Sequence, residues 1–311
     1  MSQPRSIVPG ATYLLTRRAL RRHLLFRPDA AINQLVLYTL AVSARRFGIQ
    51  VHALCMMSTH LHLVVTDTLG VLPKFLQFFH RLIALGTKVL RAWEGSVWDN
   101  APTSVVHLLT PAAVVEKIAY TMANPVAAGL VKRAHDWPGA KVLVDELGGA
   151  LSARRPEAYF DATNPQWPNE AELALSLPPY VAQDAADDFR QKVRTELERH
   201  EADARTEVER QGFGVLGAER ASAASPYDRA TSDEPLRDRN PTFAVGRGQP
   251  GAWQRAAAAV RAFRAAYREA LAQWRIGVRT VVFPTGTWCM RVLHAVCVDD
   301  VAQVGDVAPM M

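Results

Sequence analysis

Residues 49–67 read IQVHALCMM, then Ser58-Thr59, then HLHLVVTD. The flanking runs have the β-branched and apolar content of strands, and the two small polar residues between them suit a tight turn, so the segment predicts a β-hairpin. Side chains two apart on a strand point the same way. His60 and His62 therefore share one face, and Leu61, Leu63 and Val65 take the other. Two imidazoles about 7 Å apart by Cα can converge on one divalent ion. The same pair could instead sit in a core, and at this point both readings stand.

Working outward from the hairpin, 11–20 (ATYLLTRRAL) predicts a strand, followed by a basic, proline-ended connection. Asp29 is placed to cap a helix over 30–48 that stops at Gly48. After the hairpin, 71–93 predicts a long amphipathic helix and 96–109 holds a strand. A helix then opens at Thr110-Pro111 and runs through 133. The order strand, helix, strand, strand, helix, strand, helix predicts an α+β domain, helices packed on a mostly antiparallel sheet. That domain is expected over 1–140 and a charged helical and flexible linker region over 141–251, with an exposed helix at 184–211. A small C-terminal helix-plus-strands unit, with a strand pair around 279–296, is expected over 252–311.

The chain has 311 residues and a net charge of +6, which favours an anionic partner, nucleic acid first. Three cysteines without a CxxC pair give neither a disulfide framework nor a zinc knuckle and fit a reducing cytoplasm. No apolar h-region opens the sequence and no run of about 18 apolar residues occurs, so neither a signal peptide nor a membrane partner is expected.

A second group of residues lies in 116-EKIAYTMANPVAAGLV-131. Tyr120 and Asn124 are four apart and share a helix face, with Pro125 next. Structurally, they are a half-buried aromatic and a helix-ending polar residue. Chemically, a tyrosine hydroxyl is a poor nucleophile at a free pKa of about 10, and attacks only an electrophile already polarised, as a metal on a phosphate provides. His60, His62 and the Asn124 amide oxygen would make three neutral ligands for Mg²⁺ or Mn²⁺, imidazole leaning toward Mn²⁺.

Together these stretches carry a resemblance. MSTHLHLVV resembles the histidine–hydrophobic–histidine motif, and YTMANPVAAGLV the tyrosine-helix motif, of the single-tyrosine HUH transposases, in particular their REP-associated branch. PGATYLLTRRALRRHLLF is similar to that family's opening strand and basic turn, and the likeness spans about residues 5–140. The resemblance implies a ferredoxin-like or RRM-like α+β fold and metal-dependent cleavage and rejoining of single-stranded or hairpin DNA. Tyr120 would form a 5′-phosphotyrosine link, with His60, His62 and Asn124 as metal ligands. The sequence departs from the family pattern at Ser58-Thr59, where Pro-Asn is usual, in WEGSVWDNAPTS (93–104), which lacks an expected arginine, and at Ala127-Ala128, where a cation is usual.

Arg17, Arg18, Arg21 and Arg22 form the densest basic cluster, and Arg81 lies on the long helix, so these five are the DNA-contact candidates. Tyr13, Trp93 and Trp98 are candidates for stacking on bases. A homodimer with the tyrosine helix acting in trans and a monomer acting in cis are both compatible with the sequence. Two other functions fit the same residues: a DNA-binding regulator that keeps the fold without catalysis, and a metal-dependent hydrolase without a covalent step.

Overall fold

The computed structural model describes residues 4–212, 214–231 and 241–299. Residues 232–240 of the expected linker and 300–311 of the expected C-terminal unit lie outside them. The chain divides into two units, Gly10–Arg247 and Met1–Pro9 with Gly248–Met311.

The larger unit is α+β. Its elements run β1 (Ala11–Arg18), α1 (Ala30–Phe47), β2 (Ile49–Met56), β3 (His60–Asp67), α2 (Leu72–Arg91), β4 (Ser104–Leu108) and α3 (Pro111–Ala127). Then follow β5 (Ala150–Arg154), β6 (Glu170–Ala174), α4 (Ala186–Arg210), α5 (Ala218–Ala223) and β7 (Phe243–Ala244). The main sheet has the order β2-β3-β1-β4-β7, and β5-β6 forms a separate hairpin. β2 and β3 form the predicted hairpin, and β1 pairs antiparallel with both β3 and β4, in line with the mostly antiparallel sheet expected. β7 adds a parallel edge next to β4. It comes from the stretch expected to be a linker, where two ladder residues are too short to leave a sequence pattern.

The helix boundaries follow local chemistry. Asp29 Oδ1 accepts from Ile32 N at 2.9 Å, and Gly48 closes α1 in the left-handed region at φ 62°. Thr110 caps α3 through Ala113 N at 3.1 Å, with Pro111 in the first turn. α3 stops at Ala127 instead of reaching 133, because Gly129 turns left-handed at φ 65° and the Leu130 and Gly129 amides fold back onto Pro125 and Val126. Asp67 is fully buried and its carboxylate accepts from Leu69, Val71 and Leu72 amides at 3.3, 3.0 and 2.7 Å, ordering the entry to α2.

Alternation along β3 gives way to burial of both faces: Leu61, Leu63, Val64 and Val65 are all in the core. α3 lies across β2, β3 and β4, and α4 packs along α3. The 184–211 segment, expected as an exposed helix, buries Phe189, Val193 and Val208 and is therefore a structural layer. The open edge of β2 is covered by a return segment, with Met56 N donating to Ala140 O and Val142 N to Leu54 O at 2.8 and 2.9 Å.

In the smaller unit, α6 (Pro250–Arg275) and α7 (Cys289–His294) enclose Ala270, Phe283, Met290 and Val296. The strand pair expected around 279–296 does not form among the described residues. Thr287 N closes the Pro284-Thr285-Gly286 turn, the chain enters α7, and Phe283 makes only a single bridge to Val298. An isolated two-stranded ribbon is marginal in water, and these apolar residues pack on α6 instead.

Candidate active site

The β1–β3 register places Thr16 opposite His62 and Arg18 opposite His60. The two imidazole rings stand 4.7 Å apart by centroid at 80°. Thr16 Oγ1 lies 3.1 Å from His62 Nδ1, and Thr59 Oγ1 lies 2.9 Å from His60 Nδ1. Each Nδ1 thus has a hydroxyl partner, which fixes the orientation of the ring. Burial first, then the charges of His60 and Arg18, hold His62 well below the usual histidine range, so its ring is neutral, the state a metal ligand needs.

α3 brings Tyr120 onto this pair. Its ring meets His62 edge-on, with centroids 5.5 Å apart at 88°. From α4, His200 packs against the Tyr120 ring at 6.2 Å and 68°. Lys117 Nζ, paired with Glu116 at 2.9 Å, sits 5.4 Å from the Tyr120 ring centre. His200 is held by Glu196 Oε1 at 3.4 Å, and Glu196 is itself bonded to Arg199.

Asn124, one turn beyond Tyr120, is buried, and its Nδ2 donates to the Tyr120 carbonyl at 2.8 Å. With the amide nitrogen committed to the helix, Oδ1 is the atom left to act as a ligand. No group of three or more His, Cys, Asp or Glu side chains among the described residues is arranged to hold a metal. The neutral donors that could hold a divalent ion here, completed by phosphate oxygens or water, are the two imidazoles and, from α3, the Asn124 amide oxygen.

The arginine candidates separate. Arg17 is half-buried and points into protein, donating to Ala101 O at 2.7 Å and Asp99 O at 3.1 Å, and it lies 6.0 Å from the Trp98 ring centre. It braces the 98–103 loop, contrary to the expectation of a DNA contact, because strand alternation turns it away from Arg18. Arg18 is half-buried beside the histidines, and Arg21 and Arg81 are exposed. Arg21 and Arg22 both have positive φ, 49° and 58°, which costs about 1 kcal/mol each in a non-glycine residue. Tyr13 and Trp98, expected as base-stacking candidates, are core residues, and Trp93 stacks with Tyr227 at 6.3 Å. His52 is also core, bonded to Ser176 O and Thr66 Oγ1, each at 2.8 Å.

Thr16, Thr59, Lys117 and His200 are absent from the sequence-derived site. Strand register reveals Thr16, and the 196/200 spacing puts His200 and Glu196 on one helix face, but nothing local aims that face at Tyr120. Thr59 stands at one of the departures from the family pattern, yet it supplies a bond to His60.

No family model matches the chain, and no curated protein matches it. Among solved structures, it is similar to a REP-associated tyrosine transposase bound to a REP hairpin, at 19% identity and TM-score 0.36, covering 45% of this chain and 81% of that one. It is also similar to a putative transposase from Deinococcus radiodurans R1, at 20% identity and TM-score 0.29, covering 40% and 97% respectively. Similarity at this level leaves the functional case to the side chains of the site.

Proposed function

We propose that the chain cuts and rejoins single-stranded or hairpin DNA through a 5′-phosphotyrosine intermediate on Tyr120. The contact of the Tyr120 ring with His62, the inner histidine of the pair, carries this reading. It joins a nucleophile on a helix to a two-imidazole site on a strand, residues 58 apart in sequence. His60, His62 and Asn124 would hold Mg²⁺ or Mn²⁺, which when bound neutralises and polarises the scissile phosphate.

The protein's own part is orientation. Thr16 and Thr59 fix the two imidazoles, and His62, His200 and Lys117 confine the Tyr120 ring. The Tyr120 hydroxyl oxygen attacks phosphorus and the bond to the 3′-oxygen breaks. The phenol loses a proton and the departing 3′-oxygen gains one. Attack by a 3′-hydroxyl on the phosphotyrosine reverses both changes, so the phosphodiester energy is conserved and no nucleotide is consumed. Arg18, Arg21, Arg22 and Arg81 would position the backbone.

The test is incubation of the protein with labelled hairpin DNA and Mn²⁺, followed by denaturing electrophoresis. A covalent adduct that disappears in Tyr120→Phe is expected. Salt-sensitive binding without adduct would assign a regulatory role, and turnover surviving Tyr120→Phe would assign a hydrolase.

A further inference from the structure

A cleft of about 1010 Å³ opens at the far end of β3 from the histidines. Thr68, just past the strand, lines it, and His60 begins the strand, so the two are roughly 25 Å apart at about 3.3 Å per residue. Its walls carry Phe78, Trp167, Arg45, Arg46 and Gln50, with Glu172 as an opposing charge. We infer that this cleft is a second nucleic-acid site, in which Trp167 stacks on an unpaired base of a flanking single strand and Arg45 and Arg46 hold its phosphates.

Three observations support the inference. First, the aromatic group is already assembled. Trp167 and Phe78 are near-parallel at 6.3 Å and 25°, and Arg46 lies 4.7 Å over the Phe78 ring. Stacked aromatics with an arginine plane are the platform single-stranded nucleic acids use, and they tolerate any base.

Second, the loop carrying Trp167 is rigidly built. Asp161 Oδ1 accepts from the Thr163 amide and hydroxyl, both at 2.8 Å, and Asn164 Oδ1 from Gln166 N at 3.0 Å. Arg155 donates to Trp167 O at 2.7 Å, and Tyr38 OH to Pro168 O at 2.7 Å. A ring held this way loses little entropy on binding.

Third, Gln50 Oε1 is buried without a hydrogen-bond partner. An unpaired buried acceptor is costly, and rotation of the half-buried Gln50 side chain toward the cleft would let a base edge carrying an amino or imino N–H satisfy it. Two exposed arginines against one carboxylate give the rim the charge a phosphate chain needs.

The site rests on the proposed function only for the choice of DNA as probe. It is tested on the full wild-type chain in EDTA, so that metal-dependent cutting plays no part and failure of the tyrosine chemistry leaves the result intact. The probe is a fluorescein-labelled 15-nucleotide single strand, read by anisotropy, with a 5-iodouracil version for photo-crosslinking. Trp167→Ala is expected to weaken binding about tenfold, Trp167→Phe to stay within about twofold, and Arg46→Ala to weaken it and flatten the salt dependence. The crosslink is expected on the 155–169 loop. Unchanged affinity in both Trp167→Ala and Arg46→Ala would overturn the inference, as would a crosslink confined to other segments. Arg46 is exposed, so its variant stays informative if Trp167→Ala does not fold.

Discussion

Thr16 and His62 are paired across the β1–β3 ladder, and the Thr16 hydroxyl stands 3.1 Å from His62 Nδ1. Thr59 does the same for His60 from the adjacent turn. The histidine pair is thus oriented by two hydroxyls, one from β1 and one from the turn that precedes β3, so any metal affinity of the pair would depend on residues that never touch the metal.

Thr16→Val keeps the shape and removes the hydroxyl. Mn²⁺ titration of adduct formation is expected to shift to about tenfold or more higher metal concentration, with little change in melting temperature. Thr59→Val is expected to behave alike. An unmoved Mn²⁺ midpoint in both would show that the hydroxyls are incidental.

His200 is expected to act through the Tyr120 ring. His200→Ala frees one side of that ring, and adduct formation should slow by about three- to tenfold with the metal midpoint unchanged. His200→Phe preserves an edge-on aromatic contact and should recover most of the rate. Equal rates in wild type and His200→Ala would count against confinement by α4.

Asp67 serves stability, not chemistry. Its buried carboxylate accepts three backbone N–H groups at the start of α2. Asp67→Ala leaves those donors unsatisfied, at a cost of about 3 kcal/mol, read as a lower urea midpoint. A loss under about 1 kcal/mol would mean that water replaces the carboxylate.

His52 sets an acid limit. Burial pushes it down to about 4, from an unfolded value of about 6.5. Between those values the unfolded chain binds a proton that the native chain refuses. Its contribution is therefore fully present above pH ~6.5 and declines as pH falls toward ~4, by on the order of 3 kcal/mol. Urea midpoints at pH 7.5 and 4.5 should differ less in His52→Gln than in wild type, and an equal difference would place the acid sensitivity elsewhere.

Much of the fold is legible where chemistry is local. Asp29, Gly48, Thr110 and Pro111 mark helix ends by their own side chains, and the 49–67 hairpin shows in its composition. The two-residue strand β7 depends on a partner far along the chain, and the tuck of Phe283 onto α6 is tertiary packing, and neither leaves a periodic trace. Within the site, the His60/His62 and Tyr120/Asn124 pairs follow from spacing alone. Register supplies Thr16, and the docking of α4 on α3 supplies His200, which a charged composition disguises as surface. Arg17 and Arg18 are adjacent letters with opposite fates, since a strand sends neighbours to opposite faces.

The parallel pairing of β7 with β4 also has a consequence in time. His107 meets Phe243, and Thr110 Oγ1 donates to Val245 O across 135 residues. Closing so long a loop comes late in folding. A nascent chain emerges N-terminal first, so it can complete β1, β2, β3, β4 and α3 while one side of β4 still lacks its neighbour. Until residues 243–245 arrive, that strand exposes unpaired backbone beside the helix that carries Tyr120.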